Sequence, residues 1–399
     1  LPPLKFIVSG GGTGGHIFPA IAIANALKAR VPDAEFLFVG AEGRMEMEKV
    51  PAAGYKIVGL PISGLQRRLT WENLSFPFKV IRSLLKAKKI LKEFRPDAAI
   101  GTGGYASGPM LRVASNAGVI TLIQEQNSYP GITNKLLAKK VRRICVAYEG
   151  MERFFPKEKI VFTGNPVRQD IQNLEGKRPR GHEHFGLEDG KLTLLVIGGS
   201  LGARTINESI AAGLEKLHEA GIQVVWQTGK GFFSQAKEAV KKYESGGIKA
   251  HDFIQRMDLA YAVADLVVSR AGASSISELC LVHKPAIFVP SPNVAEDHQA
   301  KNAQALVNHK AALLVKDGEA REKLIGEVLG LAKDVERRAQ MEVKMAALAV
   351  QNSADLIAAE VLALVNQRRS ALDGAMNRSA EMLDRMQNGD LSLDPNKRK

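Results

Sequence analysis

The residues best suited to chemistry are a histidine behind a glycine run and a carboxylate behind a run of small residues. His16 closes Ser9-Gly10-Gly11-Gly12-Thr13-Gly14-Gly15-His16, and Glu278 closes Arg270-Ala271-Gly272-Ala273-Ser274-Ser275-Ile276-Ser277-Glu278. An imidazole titrates near neutrality and suits a general base. A helix N-terminus beside it favours the neutral, base-competent form. Glycines let a backbone approach a ligand, and the free N–H groups of a helix start attract an anion. Two further glycine turns follow, Gly101-Thr102-Gly103-Gly104-Tyr105 and Gly198-Gly199-Ser200-Leu201-Gly202-Ala203-Arg204. Three such loops point to a phosphorylated ligand. The plainer alternatives stay open: His16 as a loop or capping histidine, and Ser275 with Glu278 as a helix capping box.

These residues need strand–turn–helix units to hold them. Phe6-Ile7-Val8 reads as a buried strand, and Ile17–Leu27 has helical composition. Strand patterns recur at 35–40, 55–60, 98–101, 119–123, 144–148 and 160–163, with helical stretches between most of them. The pattern restarts at 192–197 and continues at 223–227, 265–269, 286–289 and 312–315. Such alternation predicts parallel sheets with helices on both faces, in two doubly wound α/β domains. The expected division is 1–164 and 165–349, with a helix near 350–368 and a polar, mobile tail over 370–399 containing at most one short helix. Ligands of such sheets bind at the carboxyl ends of the strands.

Several functions are disfavoured. Gly10, Gly12 and Gly15 fit G-x-G-x-x-G, but strand two ends in Gly40 without an acid for a ribose, and Ser200 replaces the middle glycine of the third loop. Gly15-His16-Ile17 is not a P-loop ending, and neither D-x-D nor H-E-x-x-H occurs. Cys145 and Cys280 lie in apolar runs and read as buried hydrophobes, which fits a reducing cytoplasm. No apolar run reaches the roughly 18 residues of a membrane span, and no signal peptide is recognisable.

The 399 residues carry a formal charge of +13. That excess suits an anionic partner: nucleic acid, anionic lipid or a phosphorylated substrate. Nine basic residues fall between Arg67 and Arg95, among them Lys79, Arg82 and Lys86, interspersed with Trp71, Leu74, Phe78, Ile81, Leu84 and Leu85. One reading is an amphipathic helix with Ile81, Leu84 and Leu85 in the core. The other is an interfacial membrane site. Nucleic acid is disfavoured, because the basic residues do not interleave with aromatics along a strand platform.

Seven motifs in order resemble the MurG family: Gly10–His16, Gly101–Pro109, Glu125-Gln126-Asn127, Gly164-Asn165-Pro166-Val167-Arg168, Gly198–Arg204, Arg270–Glu278 and Asp297-His298-Gln299. The resemblance spans about residues 4–366. It implies a GT-B fold, with two Rossmann-like domains facing a central cleft and a last helix crossing back to the first. It implies inverting transfer of GlcNAc from UDP-GlcNAc to the C4 hydroxyl of MurNAc in lipid I, giving lipid II for peptidoglycan. Nucleotide-sugar contacts then fall on Thr13, Gly14, Gly15, Asn127, Arg168, Ser200, Ile254, Ala273, Ser274, Ser275, Ile276, Ser277, Glu278 and Gln299. Acceptor-side residues fall on His16, Tyr105 and Glu125, with His16 the favoured base and Glu125 the alternative. Leu201 stands where many members have glutamine. The implied setting is the cytoplasmic face of the inner membrane, held peripherally through Trp71, Leu74, Phe78, Lys79, Ile81, Arg82 and Lys86, beside other cell-wall synthesis and division proteins. No tightly bound cofactor is expected, at most a divalent cation accompanying the diphosphate. The nearest alternatives are another GT-B enzyme with a lipid acceptor and a UDP-GlcNAc 2-epimerase.

Overall fold

A computed structural model describes residues 2–63, 76–199, 201–294 and 297–387. Apolar, β-branched runs form two all-parallel sheets. The first holds β1 (Lys5–Gly10), β2 (Glu35–Ala41), β3 (Ile57–Leu60), β4 (Ala98–Gly103), β5 (Ile120–Glu125), β6 (Arg143–Val146) and β7 (Ile160–Phe162), in the order β3-β2-β1-β4-β5-β6-β7. The second holds β8 (Thr193–Ile197), β9 (Gln223–Gln227), β10 (Ile248–His251), β11 (Leu266–Ser269), β12 (Ala286–Phe288) and β13 (Ala312–Leu314), in the order β10-β9-β8-β11-β12-β13. Both orders reverse once, at β1/β4 and at β8/β11. A crevice opens at each reversal, beyond the carboxyl ends of the strands. The sequence pattern had no counterpart for β10, an edge strand of Ile-Lys-Ala-His composition.

Helices flank both sheets. The first domain carries α1 (Gly14–Arg30), α2 (Glu46–Ala52), α3 (Phe76–Phe94), α4 (Ser107–Asn116) and α5 (Ile132–Leu137). The second carries α6 (Arg178–Phe185), α7 (Arg204–Glu219), α8 (Lys230–Val240), α9 (Met257–Val263), α10 (Ala273–Leu281), α11 (His298–Asn308), α12 (Ala320–Lys333) and α13 (Val335–Leu348). Each sheet is buried on both faces, so each domain has two apolar layers.

The last helix, α14 (Ser353–Gln387), returns to the first domain. Its Ile357, Ala358, Val361 and Val365 are buried with Phe6, Val8 and the α1 side chains Ile23 and Leu27. Three ion pairs frame that packing: Arg30–Asp355, Arg143–Glu360 and Arg369–Asp97. By length and composition the segment Val335–Glu381 is apolar enough to cross a membrane. The four α14 residues buried against β1 and α1 show an alternative use for that apolarity.

The stretch expected to be a mobile tail from Ser370 is helical as far as Gln387. It contains Ala, Leu, Met, Glu and Arg, a single glycine at Gly374 and no proline, so nothing in it stops a helix already nucleated upstream.

Candidate functional site

The first glycine loop is held open by a buried carboxylate. Glu46, at the start of α2, accepts the Ala41 N–H through Oε1 and the Gly12 N–H through Oε2, each at 2.9 Å. On the other side the β4 turn presses against the same loop. Gly104 has φ +86°, and a Cβ there would lie 2.3 Å from the Gly11 carbonyl oxygen. Thr102 donates its hydroxyl to the His16 carbonyl at 2.8 Å. The loops after β1 and β4 thus form one unit. Thr13 caps α1 in extended conformation without a side-chain hydrogen bond, and no acid occupies the first turn. The N–H groups of Gly14 and Gly15 therefore head a helix start whose local charge favours an anion.

His16 sits in the first turn of α1, partly buried at the carboxyl edge of the sheet. Its Nδ1 lies 3.0 Å from Gln126 Oε1. Burial lowers the imidazole pKa below its ordinary 6.5, partly offset by Gln126 and the Thr102 carbonyl. Tyr105, on the β4 turn, is 47% exposed. The loops after β1, β4 and β5 thus bring His16, Tyr105 and Glu125–Asn127 to one edge.

Glu125 is differently placed. Oε1 accepts from Asn127 N and Nδ2, at 3.0 and 3.2 Å, and Oε2 from Gly131 N and Asn134 Nδ2, at 3.1 and 2.9 Å. Burial raises this carboxyl, and those four donors pull it back. With both oxygens so occupied and the side chain buried, Glu125 has no lone pair presented to a substrate hydroxyl. It braces the loop from Asn127 to Asn134, an arrangement that favours His16 over Glu125 as the base.

The second domain presents α10 at its own crevice. The helix starts at Ala273 behind Gly272, so Ser275 lies within the first turn and the Ser275/Glu278 capping box does not form. Ala273 and Ile276 are buried, and Ser274, Ser275, Ser277 and Glu278 half-buried. Glu278 Oε2 accepts the Tyr261 hydroxyl at 2.9 Å. Burial raises the Glu278 carboxyl, opposed by Tyr261 and by the charge of Arg168. Arg168 donates Nε to Asp170 at 2.7 Å. Ile254 is buried and gives its N–H to Gln227 Oε1, while Gln227 Nε2 donates to the Gly199 carbonyl. The loops before Gly199 and Ile254 are thereby joined. Gly202, with φ +81°, lets the third loop close on β9: a Cβ there would lie 2.0 Å from the Thr228 carbonyl oxygen. Gln299 Oε1 accepts from the Ser291 N–H at 2.9 Å. Arg270 is structural, donating to the Val289 and Pro290 carbonyls and pairing with Asp317. Ser200, Trp71 and Leu74 lie outside the described residues.

The two crevices face each other through polar contacts. Asn302 of α11 accepts from Ser128 N and Oγ at 2.9 and 3.0 Å and donates to Asn127 Oδ1 at 3.1 Å. Asn165 donates to Ser277 Oγ at 3.0 Å. Sequence reasoning passed over Glu46 and Asn302 altogether, and quoted Thr102, Gln126 and Asn165 only inside motifs. Their partners are 24 to 175 residues away, so no local pattern marks them.

The helix α3 packs on α4 with Ser83, Ala87, Ile90 and Leu91 inward. Phe78, Ile81 and Leu85 are 71%, 56% and 64% exposed and follow one another at helical spacing. Of the two readings of this stretch, the one that puts Ile81 and Leu85 in the core fails. The helix is slightly rotated from that reading, with small Ser83 and Ala87 inside. Arg82 is exposed, Lys79 donates to Ser63 Oγ, and Lys86 pairs with Glu42. Among the described residues, no three His, Cys, Asp or Glu side chains are grouped to hold a metal ion.

Residues 6–146 match the glycosyltransferase family 28 N-terminal domain, and residues 193–358 the glycosyltransferase family 28 C-terminal domain. A relative from Parabacteroides distasonis, named UDP-N-acetylglucosamine–N-acetylmuramyl-(pentapeptide) pyrophosphoryl-undecaprenol N-acetylglucosamine transferase, is 56% identical over 364 residues, covering 91% of this chain and 99% of its own. A relative of the same name from Cytophaga hutchinsonii is 58% identical over 367 residues, covering 92% and 98%. The crystal structure of Acinetobacter baumannii MurG superposes with a TM-score of 0.75 at 26% identity, covering 90% of this chain and 99% of that one. UDP-GlcNAc 2-epimerase from Neisseria meningitidis, at 15% identity and a TM-score of 0.61 over 90% of this chain and 99% of that one, shares the fold alone. The chain is a two-domain GT-B protein and belongs to the MurG family of glycosyltransferases, family 28.

Proposed function

We propose that this chain transfers N-acetylglucosamine from UDP-GlcNAc to the C4 hydroxyl of MurNAc in undecaprenyl-diphospho-MurNAc-pentapeptide, with inversion. The observation that carries the reading is the pairing of relatives above 50% identity over nine-tenths of the chain with the placement of His16 at the cleft edge opposite α10. The donor occupies the second domain. Glu278 takes the ribose hydroxyls, the N–H groups of the third glycine loop and of the α10 start hold the diphosphate, and Ile254 borders the base. His16 removes the proton of the C4 hydroxyl as that oxygen attacks the anomeric carbon. The bond from that carbon to the diphosphate oxygen breaks, and UDP leaves with the electron pair. Thr13 and the N–H groups of Gly14 and Gly15 meet the donor from the first domain, and the exposed Tyr105 ring faces the acceptor. Asn127 and Gln299 border the transferred sugar, and Arg168 sits beside Glu278.

The acceptor's polyprenyl chain stays in the bilayer, so the enzyme must meet the membrane surface. The exposed Phe78–Ile81–Leu85 stripe with its basic neighbours is the surface that supplies both an apolar and an electrostatic contact. Peripheral attachment at the cytoplasmic face follows from the same reading. Turnover of UDP-GlcNAc with a lipid I analogue tests the assignment. Transfer to that acceptor and not to simple lipid or natural-product alcohols supports it. UDP-GlcNAc consumption without acceptor would replace it by hydrolase or epimerase chemistry.

A further inference from the structure

His16 can act as a base only through a nitrogen that carries a lone pair and faces the cleft. A neutral imidazole has one protonated and one free nitrogen, and which is which is set by the bond the other makes. Here Nδ1 faces Gln126 Oε1 at 3.0 Å. Backbone carbonyls fix the orientation of the Gln126 amide. Its Nε2 lies 2.8 Å from the Thr102 carbonyl oxygen and 3.2 Å from the Gln124 carbonyl oxygen, both of which only accept. The nitrogen must point that way, so Oε1 must point at the histidine.

The next amides agree with that orientation. Asn165 Nδ2 donates to the Gln126 carbonyl at 2.9 Å, leaving Asn165 Oδ1 to accept from Gln124 Nε2 at 2.8 Å. Gln124 Oε1 then accepts from Gln126 Nε2. The series ends where Asn165 also donates to Ser277 Oγ on α10. Gln124, Gln126 and Asn165 are 0%, 1% and 4% exposed, so water does not compete for these bonds. An acceptor facing Nδ1 demands a proton there.

We infer that Gln126 is a positioning residue that holds His16 in its Nδ1–H tautomer, leaving Nε2 with the free lone pair. The role rests on His16 being the base, as proposed above. Free imidazole favours the opposite tautomer, with the proton on Nε2, so without Gln126 the catalytic lone pair is lost from much of the population. Three other neighbours bear on the ring: the Thr102 carbonyl and Glu46 of α2, which favour the protonated form, and His298 of α11, which opposes it.

The test is a long-range nitrogen–proton spectrum of the full-length, nitrogen-15-labelled protein, with the His16 ring identified as the resonance set missing from His16→Ala. The wild type should show an Nδ1–H ring. Gln126→Leu should move it toward Nε2–H and lower kcat on the order of a hundredfold, with KM for UDP-GlcNAc within about twofold. Gln126→Glu keeps an acceptor oxygen at the same place. It should keep the Nδ1–H form, retain more kcat than Gln126→Leu, and move the acid limb of the kcat profile to higher pH, because a carboxylate stabilises the imidazolium. A wild-type ring protonated on Nε2, or an unchanged tautomer in Gln126→Leu, overturns the inference. The wild-type spectrum needs no variant to fold. If His16→Ala retains turnover while the wild-type ring is Nδ1–H, the base assignment fails and the tautomer assignment stands.

Discussion

Glu46 Oε2 accepts the backbone N–H of Gly12 at 2.9 Å, across 34 residues of sequence. The same fully buried carboxylate holds Ala41 N, so one side chain ties the end of β2 to the loop that presents His16. Glu46→Ala strips two backbone donors of their partner; losing it costs the buried Ala41 N–H about 1–3 kcal/mol, while the exposed Gly12 can turn to water. Thermal unfolding should shift down accordingly. The first glycine loop should also lose its shape, lowering kcat more than donor binding. Glu46→Gln keeps one acceptor oxygen and should fall between. A melting temperature unchanged in Glu46→Ala would show the clamp to be dispensable.

His16→Ala should lower kcat on the order of a hundredfold or more while UDP-GlcNAc still binds by calorimetry. The wild-type pH profile carries a sign. Burial lowers the imidazole pKa, and a base works only when unprotonated. Activity should therefore be full at neutral pH and fall on the acid side, with its midpoint below the ordinary imidazole value of 6.5. An acid limb above that value would assign the titration to another group.

Glu278→Ala should raise KM for UDP-GlcNAc about tenfold or more, since a hydrogen-bonded carboxylate on ribose hydroxyls contributes roughly 1.5–3 kcal/mol. The Tyr261 phenol complicates the variant, because it donates to the same carboxylate and would lose its partner. Tyr261→Phe separates the two effects. It should leave the ribose contact in place and raise KM far less. Equal KM in Glu278→Ala and wild type would remove Glu278 from the donor site.

How much of this was legible beforehand depended on the range of each interaction. The strand–glycine–helix units are local, and apolar runs such as Phe6-Ile7-Val8 and Leu194-Leu195-Val196 stand out in sequence. The short β10 has a lysine and a histidine in four residues because it is an edge strand, so it gave no such run. His16 was visible as a candidate, but its hydrogen-bond partner Gln126 was not. Gln126, Gln124 and Asn165 meet only once β4, β5 and the interdomain segment are assembled. Glu125 had the right chemistry for a base, and only the fold shows its oxygens spent on Asn127, Gly131 and Asn134. Which face of α3 turns outward was left open between two readings, because sequence does not show that small Ser83 and Ala87 pack inward in place of Ile81 and Leu85.

Cys145 and Cys280 are buried, and burial pushes both thiols up to about 12. The thiolate is the reactive form, so neither should react with a disulfide reagent at neutral pH in the folded protein. Both should react after denaturation. Modification of either thiol at a rate near that of a free thiol would mean that its domain opens far more readily than its packing implies.

The exposed stripe on α3 predicts a two-part membrane attachment. Phe78, Ile81 and Leu85 face water, although Ser83 and Ala87 of the same helix are buried. Apolar insertion is insensitive to salt, whereas the basic residues of α3 meet anionic lipid at about 1 kcal/mol each near the surface and are screened by salt. Sedimentation with vesicles separates the two contributions. Binding to anionic vesicles should exceed binding to neutral ones, and high salt should reduce it without abolishing it. Changing Phe78 and Leu85 together to serine should remove the salt-resistant part and leave melting unaltered, because neither side chain supports the core. Turnover with a soluble, short-chain acceptor should also survive that double change, since neither side chain is among the residues placed at the cleft. Full vesicle binding by the double variant would place the membrane contact on another surface.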